Sequence, residues 1–398
     1  LFKKHELEHI LSDAKPQAFI GAEPYLAEIR SAMKSAYEPA VKIAGGGQQN
    51  SGFLELHSVY HESKNFELYP AQAEDTLTIL YTSGTTGVPK GVMLSHKNHA
   101  SEARILAEMR GKLDPEVVVI GVLPLYHIYG ITSVINVSIY LGLTIELFSM
   151  FDPEKVIRVA QAEKESILFA VPTMYNRLIQ VVSNNPPGRC SLKFCISGGS
   201  SLPVEFLTRF ESLLNTKIYE GYGLTEAPVC VENPYGSLTK PGSIGLPIAE
   251  FSAKIVDIDG NEVAPGESGE LLIKGPGVMK GYLNRPQDTG EALREGWLYT
   301  GDIARRDDDG YIYYSEFQSG IGRLPDTGGA SEPYLERHDG MLDYHGMAVL
   351  PEGRGIVTIP HLGEDEGRNI FIGRPGQDPR IVFESDASIN WIRYDPTG

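Results

Sequence analysis

From Asp75 onward, short apolar runs and amphipathic stretches take turns along the chain. TLTILY, VVVIGVLP, LTIELF, SILFAV and LKFCIS are each followed by residues with helical spacing. Apolar runs of four to eight residues predict strands, and apolar positions at i, i+3 and i+4 predict helices. Two of these helices are preceded by good caps, Ser95 before HKNHASEARILAEM and Asp152-Pro153 before EKVIRVAQA. Side chains of these types accept from the free N–H groups of a first turn, and proline suits the first helical position. Strands alternating with helices predict an α/β fold, with mainly parallel sheets flanked by helices. Ligands of such sheets bind outside the carboxyl ends of the strands. Upstream, residues 6–41 read as helix, strand, helix, strand, from HELEHILSDA, QAFIG and YLAEIRSAMKSA.

After Pro241 the pattern changes to short alternating strands with tight turns, Asp259-Gly260 in SAKIVDIDGNEV and Asp309-Gly310 in ARRDDDGYIYY. Asp-Gly between apolar runs marks a hairpin. A small β-barrel or β-sandwich subdomain is expected here. From about Phe317 the chain is rich in Gly, Pro, Asp and Arg. GIVTIP, NIFIG and RIVFES suggest isolated strands there, without a helix. No internal repeat is present. The expected organisation is an α/β part at 1–240, a β-rich subdomain at 241–315 and an unassigned tail at 316–398.

Composition narrows the class of partner. The 398 residues exceed what one hydrophobic core serves. A formal charge of −17 argues against nucleic acid or an anionic membrane as the main partner. Phosphate must then be held locally, by amides, a few lysines and a metal ion. Cys190, Cys195 and Cys230 lack paired ligand spacing, and their odd, low number suggests buried free thiols in a reducing compartment. No apolar run reaches the roughly 18 residues of a membrane span. Charged Lys3, Lys4 and Glu6 open the chain without a signal-peptide pattern, so a cytoplasmic protein is expected. The chain begins at Leu1 rather than Met, and lysine disappears late: 17 occur up to Lys280 and none in the 118 residues beyond.

The strongest chemical signal is YTSGTTGVPKGVMLSH, residues 81–96. Glycines let a backbone approach phosphate, and free amides with the hydroxyls of Thr82, Ser83, Thr85 and Thr86 can donate to its oxygens. Lys90 adds a point charge. The loop is expected to join the strand TLTILY to a helix. A P-loop would need Ser or Thr after the lysine, whereas Pro89 precedes Lys90 and Gly91 follows it, so that reading fails on spacing.

This string resembles the phosphate loop of the adenylate-forming (AMP-binding) superfamily, of the acyl-CoA synthetase type. LPLYHIYG, ISGGSSLP, YEGYGLTE, GELLIKGPGVMKGYLNRP and GWLYTGD are similar to further motifs of that superfamily, in its order and at similar separations. The resemblance implies that Thr82, Ser83, Gly84, Thr85, Thr86, Gly87 and Lys90 grip the β- and γ-phosphates of ATP. It implies Mg²⁺ at Glu226 and an α-phosphate contact for Thr225. Gly198, Gly199 and Ser200 would lie against the adenine and the acyl carbonyl, beside Gly221, Tyr222 and Gly223, with Tyr222 stacked on adenine. Asp302 would accept both ribose hydroxyls, and His127 would stand near the substrate carboxylate and the pantetheine entry. A structural histidine is the alternative at His127. For Arg305 and Arg306 the choice lies between a ribose or phosphate contact and an exposed arginine pair. The Asp307–Asp309 run is most simply a solvated turn.

The implied reaction is ATP-dependent activation of a carboxylic acid, a medium- or long-chain fatty acid, to acyl-AMP and onward to acyl-CoA. ATP, Mg²⁺ and CoA, or a phosphopantetheine carrier in place of CoA, are the implied partners. GITSVINVSIY, after His127, suits either a wall of an acyl tunnel or core packing. Two departures bear on activity. Superfamily members begin about a hundred residues before the point that Leu1 matches. They also carry a C-terminal lid with a Gly-Arg-x-x-Asp hinge and a catalytic lysine. Here GIGRLPD is a displaced echo of the hinge, and no lysine follows Lys280. The expectation is impaired adenylation with little thioester formation, or a nucleotide- or acyl-adenylate-binding module without turnover.

Overall fold

The computed structural model describes residues 3–46, 52–59, 69–82, 88–237 and 239–314, and six further strands between residues 320 and 384. The chain divides into two units, Leu1–Ala253 with Leu272–Thr300, and Lys254–Leu271 with Gly301–Gly398.

The first unit opens as expected, with helices Lys4–Ala14 and Leu26–Ser35 alternating with strands Ala18–Ala22 and Val41–Gly45. The two strands pair in parallel, Ile20 opposite Ile43. Leu11, Leu26, Ile29, Ala32 and Met33 close a small core of their own.

Its centre is a seven-stranded sheet. From one edge the strands are Leu246–Pro247, Ala227–Glu232, Ile218–Leu224, Leu192–Ser197, Ser166–Ala170, Val118–Gly121 and Thr144–Leu147. The last five are parallel, as the strand–helix alternation predicts, and Ala227–Glu232 runs antiparallel to both its neighbours. Every residue of Ser166–Ala170 is buried, as expected of a strand covered on both faces. Leu168 and Ala170 pack on one face with Tyr175, Leu178 and Phe210. Ile167 and Phe169 pack on the other with Val119, Phe194 and Tyr219. Each such aromatic or aliphatic side chain contributes about 1.5–3 kcal/mol through burial.

One expectation needs correction. The glycine-rich loop joins two antiparallel strands, Thr76–Thr82 and Lys90–Ser95, rather than a strand and a helix. Val92 and Leu94 are fully buried, and a short apolar run of this kind cannot be told from a helix start by periodicity alone. The helix follows at His96–Met109, capped by Ser95 Oγ, which accepts from Asn98 N at 3.1 Å. Asp152 caps Pro153–Ala160 in the same way, accepting from Lys155 N at 3.1 Å. Strand Gly281–Tyr282 pairs with Lys90–Ser95 on its other side, Tyr282 opposite Val92. After His127 the chain forms a π-helix at Gly130–Asn136, continued by the α-helix Val137–Leu141. Cys190, Cys195 and Cys230 are free thiols.

In the second unit, Asp257 Oδ1 accepts from Asp259 N and Asn261 N, both at 2.9 Å, closing the predicted Asp259-Gly260 turn. Gly260 takes φ +85 there, a value open to glycine. The Asp309-Gly310 hairpin pairs Arg306 with Ile312 and Ala304 with Tyr314. Asp307 Oδ1 accepts from Tyr311 N at 2.9 Å, so this run is a turn as expected. The runs GIVTIP, NIFIG and RIVFES are not isolated. They lie in strands Gly355–Leu362, Asn369–Arg374 and Gln377–Glu384, which join Met341–Leu350 in one antiparallel sheet. Cross-strand pairing, invisible in any single run, decides this. Among the described residues no helix follows Ala292, and none is long and apolar enough to cross a membrane.

Candidate functional site

Strand Ile218–Leu224 begins buried, at Ile218, Tyr219 and Glu220, and emerges half-buried from Gly221. Its carboxyl end turns at once into Ala227–Glu232, with Leu224 opposite Ala227, so Thr225 and Glu226 form a two-residue tip. Gly223 makes the close approach possible, because a Cβ there would sit 1.8 Å from the Pro228 carbonyl oxygen. The tip stands over a cavity of about 290 Å³, near the lower end of ordinary small-molecule sites. The predicted residues His127, Gly198, Gly199, Gly221, Tyr222, Gly223, Thr225 and Glu226 all line it. Ser200 follows Gly199 in the same exposed turn and does not line the cavity. Residues 130–141 contribute no wall either, and Val134 packs into the core beside Phe169. Thr132, Ser133, Val134 and Val137 of that stretch are buried, while Ile139 and Tyr140 are exposed.

Glu226 is held at both ends. Its carbonyl accepts from Met279 N at 2.8 Å, and its Oε1 accepts from the Tyr282 hydroxyl at 2.8 Å. Burial, then the adjacent Glu226 carboxylate, push the Tyr282 phenol well above its usual range, so it stays a donor. Lys90 lies on the other side of Tyr282, its Nζ 5.2 Å from the ring centroid, within cation–π range. Lys90 Nζ also donates to Asp288 Oδ1 at 2.6 Å. Lys90, Tyr282, Glu226 and Asp288 thus form one cluster. Thr82 ends the strand opposite Lys90, while Ser83, Gly84, Thr85, Thr86 and Gly87 lie outside the described residues.

His127 stands at the cavity mouth. Its Nδ1 accepts from Tyr129 N at 3.2 Å, which leaves Nε2 to carry the proton in the neutral ring. Desolvation pushes its pKa down, so at neutral pH the ring is uncharged and offers one N–H.

Asp302 lies in the second unit, on Trp297–Arg306, where Oδ1 accepts a long bond from the Tyr314 hydroxyl at 3.4 Å. Arg305 stacks 4.3 Å from the Tyr313 ring centroid, and Arg306 pairs with Glu262 at 2.8 Å. Both arginines therefore have local partners, in keeping with an exposed structural pair.

Sequence reasoning missed four residues. Tyr282 reaches the site through strand pairing, and Asp288 on the helix Pro286–Ala292 that follows. Tyr282 lies within GELLIKGPGVMKGYLNRP, but nothing local marks either residue as a partner of Glu226 or Lys90. Arg110 and Glu232 form an ion pair at 3.1 Å whose side chains are 1% and 3% exposed. The only local hint was a charged residue, Glu232, within an otherwise apolar run.

Known proteins resemble this chain in sequence and fold. The profile of the family described as AMP-binding enzyme matches residues 1–283. A long-chain-fatty-acid–CoA ligase of Bacillus subtilis is 40% identical over 250 residues, 62% of this chain and 45% of that protein. The enzyme of that name from Salmonella typhimurium is 40% identical over 340 residues, 82% of this chain and 57% of its own length. A feruloyl-CoA synthase of Amycolatopsis is 30% identical over 399 residues, 98% of this chain and 74% of that one. The chain spans about half the length of the fatty-acid ligases it matches. Among solved structures, ATP-bound MatB from Rhodopseudomonas palustris superposes with a TM-score of 0.76 at 26% identity, covering 90% of this chain and 71% of that one.

Proposed function

We propose, from the premise that this chain belongs to the AMP-binding enzyme family, that it activates a fatty acid with ATP to acyl-AMP. The observation that carries this reading is the Thr225-Glu226 tip facing His127 over one cavity at the carboxyl end of a parallel sheet. In the reaction the carboxylate oxygen attacks the α-phosphorus, a new P–O bond forms, and the bond to the β-phosphate oxygen breaks to release pyrophosphate. Positioning and charge neutralisation do most of such work. Lys90 leaves Asp288 for the β- and γ-phosphates, beside the loop from Thr82 to Gly87. Thr225 contacts the α-phosphate, and the neutral His127 donates through Nε2 to the acid. Tyr222 stacks on adenine against Gly198, Gly199 and Ser200, and Asp302 accepts the ribose hydroxyls.

Glu226 suits Mg²⁺. The ion is held by one or two carboxylates plus substrate phosphates rather than by an all-protein cage. Glu226 offers one such carboxylate, oriented by Tyr282. Among the described residues no cluster of three or more His, Cys, Asp or Glu could hold an ion without the nucleotide. When bound, Mg²⁺ supplies charge neutralisation on the phosphates.

CoA is the acceptor in this reading, with a phosphopantetheine carrier as the alternative. The three free thiols favour a cytoplasmic setting. Residues 1–240 and 241–315 serve as the nucleotide-binding core, and 316–398 as a tail distinct from a catalytic lid. Residues 281–398 contain no lysine, so in this reading the tail at 316–398 supplies no transition-state lysine. A core acting without one such electrostatic group is slower by about 10²–10³. A module that binds acyl-adenylate without making it is the second reading.

The test is pyrophosphate release from ATP, Mg²⁺ and a panel of acids. Acid-dependent release abolished by Lys90→Ala and by Glu226→Ala supports the enzyme. Acyl-AMP binding without release, lost in the same variants, supports the module.

A further inference from the structure

Glu232 belongs to the wall of the same cavity. It lies opposite Gly221 in the strand register, and a Cβ on Gly221 would touch its Cγ at 3.4 Å. The deep lining, Ile128, Tyr129, Ile196 and Glu232, is buried, whereas Thr225 and Glu226 at the other end are half-exposed. Thr225 lies four residue steps along from Gly221, so the polar end lies about 13 Å from the phosphate end.

Both Glu232 oxygens accept from one Arg110 nitrogen, at 3.3 and 3.1 Å. Arg110 also donates to Leu106 O at 3.0 Å and stacks 5.4 Å from the Phe169 ring centroid. The pair is neutral as a whole, yet each carboxylate oxygen keeps acceptor capacity, since a carboxylate offers about four sites. A second polar group borders the same space. Ser197 is fully buried and lines the cavity, and its hydroxyl has no partner among the described residues. With adenine placed at Tyr222, Gly198 and Gly199 as proposed, the buried lining at Ile128, Tyr129, Ile196, Ser197 and Glu232 is left to the acid. A buried acceptor and an unmatched buried hydroxyl there are poor company for a methyl terminus. An alkyl tail would displace whatever water satisfies them and replace none of its bonds.

We propose that Glu232, positioned by Arg110 and assisted by Ser197, selects acids whose tail ends in a hydroxyl. This inference rests on the acid-activating reading above and names its substrate class. The tail hydroxyl donates to the Glu232 carboxylate and accepts from Ser197 Oγ. A tail carrying an ammonium or a second carboxylate is disfavoured, because it would add a net charge beside a pair already balanced. An extended chain covers about 1.2 Å per bond, so a tail of about ten carbons spans the cavity.

The experiment measures binding of three acyl-sulfamoyl adenosines to the whole chain by calorimetry, with decanoyl, ω-hydroxydecanoyl and ω-aminodecanoyl tails. The expected result is roughly ten- to a hundredfold tighter binding of the hydroxylated analogue than of the decanoyl one, the value of a hydrogen bond to a charged group. In the double substitution Arg110→Met with Glu232→Leu, which removes both charges together, that preference falls to about one or reverses. Ser197→Ala lowers it several-fold. Equal binding of the decanoyl and hydroxylated analogues by the native chain overturns this proposal alone, as does a preference unchanged in the double variant. Binding of none of the three overturns the acid-activating reading as well.

Discussion

Tyr282 and Glu226 stand 56 residues apart in the chain and meet in a 2.8 Å hydrogen bond, the phenol donating to carboxylate Oε1. Strand pairing brings them together. Gly281–Tyr282 adds to the hairpin that carries Lys90, while Met279 N donates to the Glu226 carbonyl. The carboxylate proposed for Mg²⁺ is therefore oriented before any ligand arrives, which is how partners of metal ligands commonly act.

Replacing Tyr282 by Phe keeps the packing and removes the donor. The Mg²⁺ concentration for half-maximal pyrophosphate release is expected to rise about 10- to 100-fold, with the fold unchanged by circular dichroism. A Mg²⁺ titration unchanged in the variant would remove Tyr282 from this role.

Asp288 accepts from Lys90 Nζ at 2.6 Å, and in the proposed reading it would compete with the ATP phosphates for this lysine. The pair is about a fifth to a quarter exposed, so its net contribution is about 0–1 kcal/mol. Asp288→Asn is expected to tighten ATP binding up to about fivefold, measured by nucleotide titration. Weaker binding would mean that Asp288 helps to present the lysine rather than hold it back.

Arg110→Met alone leaves Glu232 buried without its partner. Stability is expected to fall by about 3–5 kcal/mol in denaturant unfolding. Changing Glu232→Leu in the same chain should restore most of the loss, since apolar replacements of a whole buried pair are often neutral or stabilising. A double variant as unstable as the single would show that packing, not charge, sets the cost.

Glu102 gives a pH dependence. It is fully buried, with Oε1 accepting from Val229 N at 3.0 Å and Oε2 unpartnered among the described residues. Burial raises its pKa well above the ordinary value of 4.5, against a smaller lowering by the Val229 amide. The folded state thus binds this proton more tightly than the unfolded chain does. The associated stability is complete below about pH 4.5 and is lost as pH rises towards and through the folded pKa. Glu102→Gln is neutral throughout. Its stability relative to the native protein should grow with pH above that point, by at most about 1.4 kcal/mol per unit. A difference independent of pH would overturn the assignment.

Much of the architecture was legible in the residues themselves. Apolar runs and helical spacing marked the strands of the central sheet, because burial on both faces demands unbroken apolar sequence, as in SILFAV. Ser95 and Asp152 marked helix starts because a cap is a contact within three residues. Thr225 and Glu226 were named through the resemblance of YEGYGLTE to a superfamily motif, whereas the close approach at Gly223 that shapes their tip shows only in the structure. The strand Lys90–Ser95 was misread, since six apolar-rich residues carry too little periodicity to separate strand from helix.

What local sequence could not determine was every relationship between distant segments. Tyr282 against Glu226, Asp288 against Lys90, and Arg110 against Glu232 each join residues 56 or more positions apart. The pairing of three tail runs into one sheet was hidden in the same way. Local sequence encodes propensity, capping and turn chemistry, all of which act over a few residues. The partner of a buried charge, and the polar end of a cavity, follow from the packing of whole elements, and only the tertiary structure decides them.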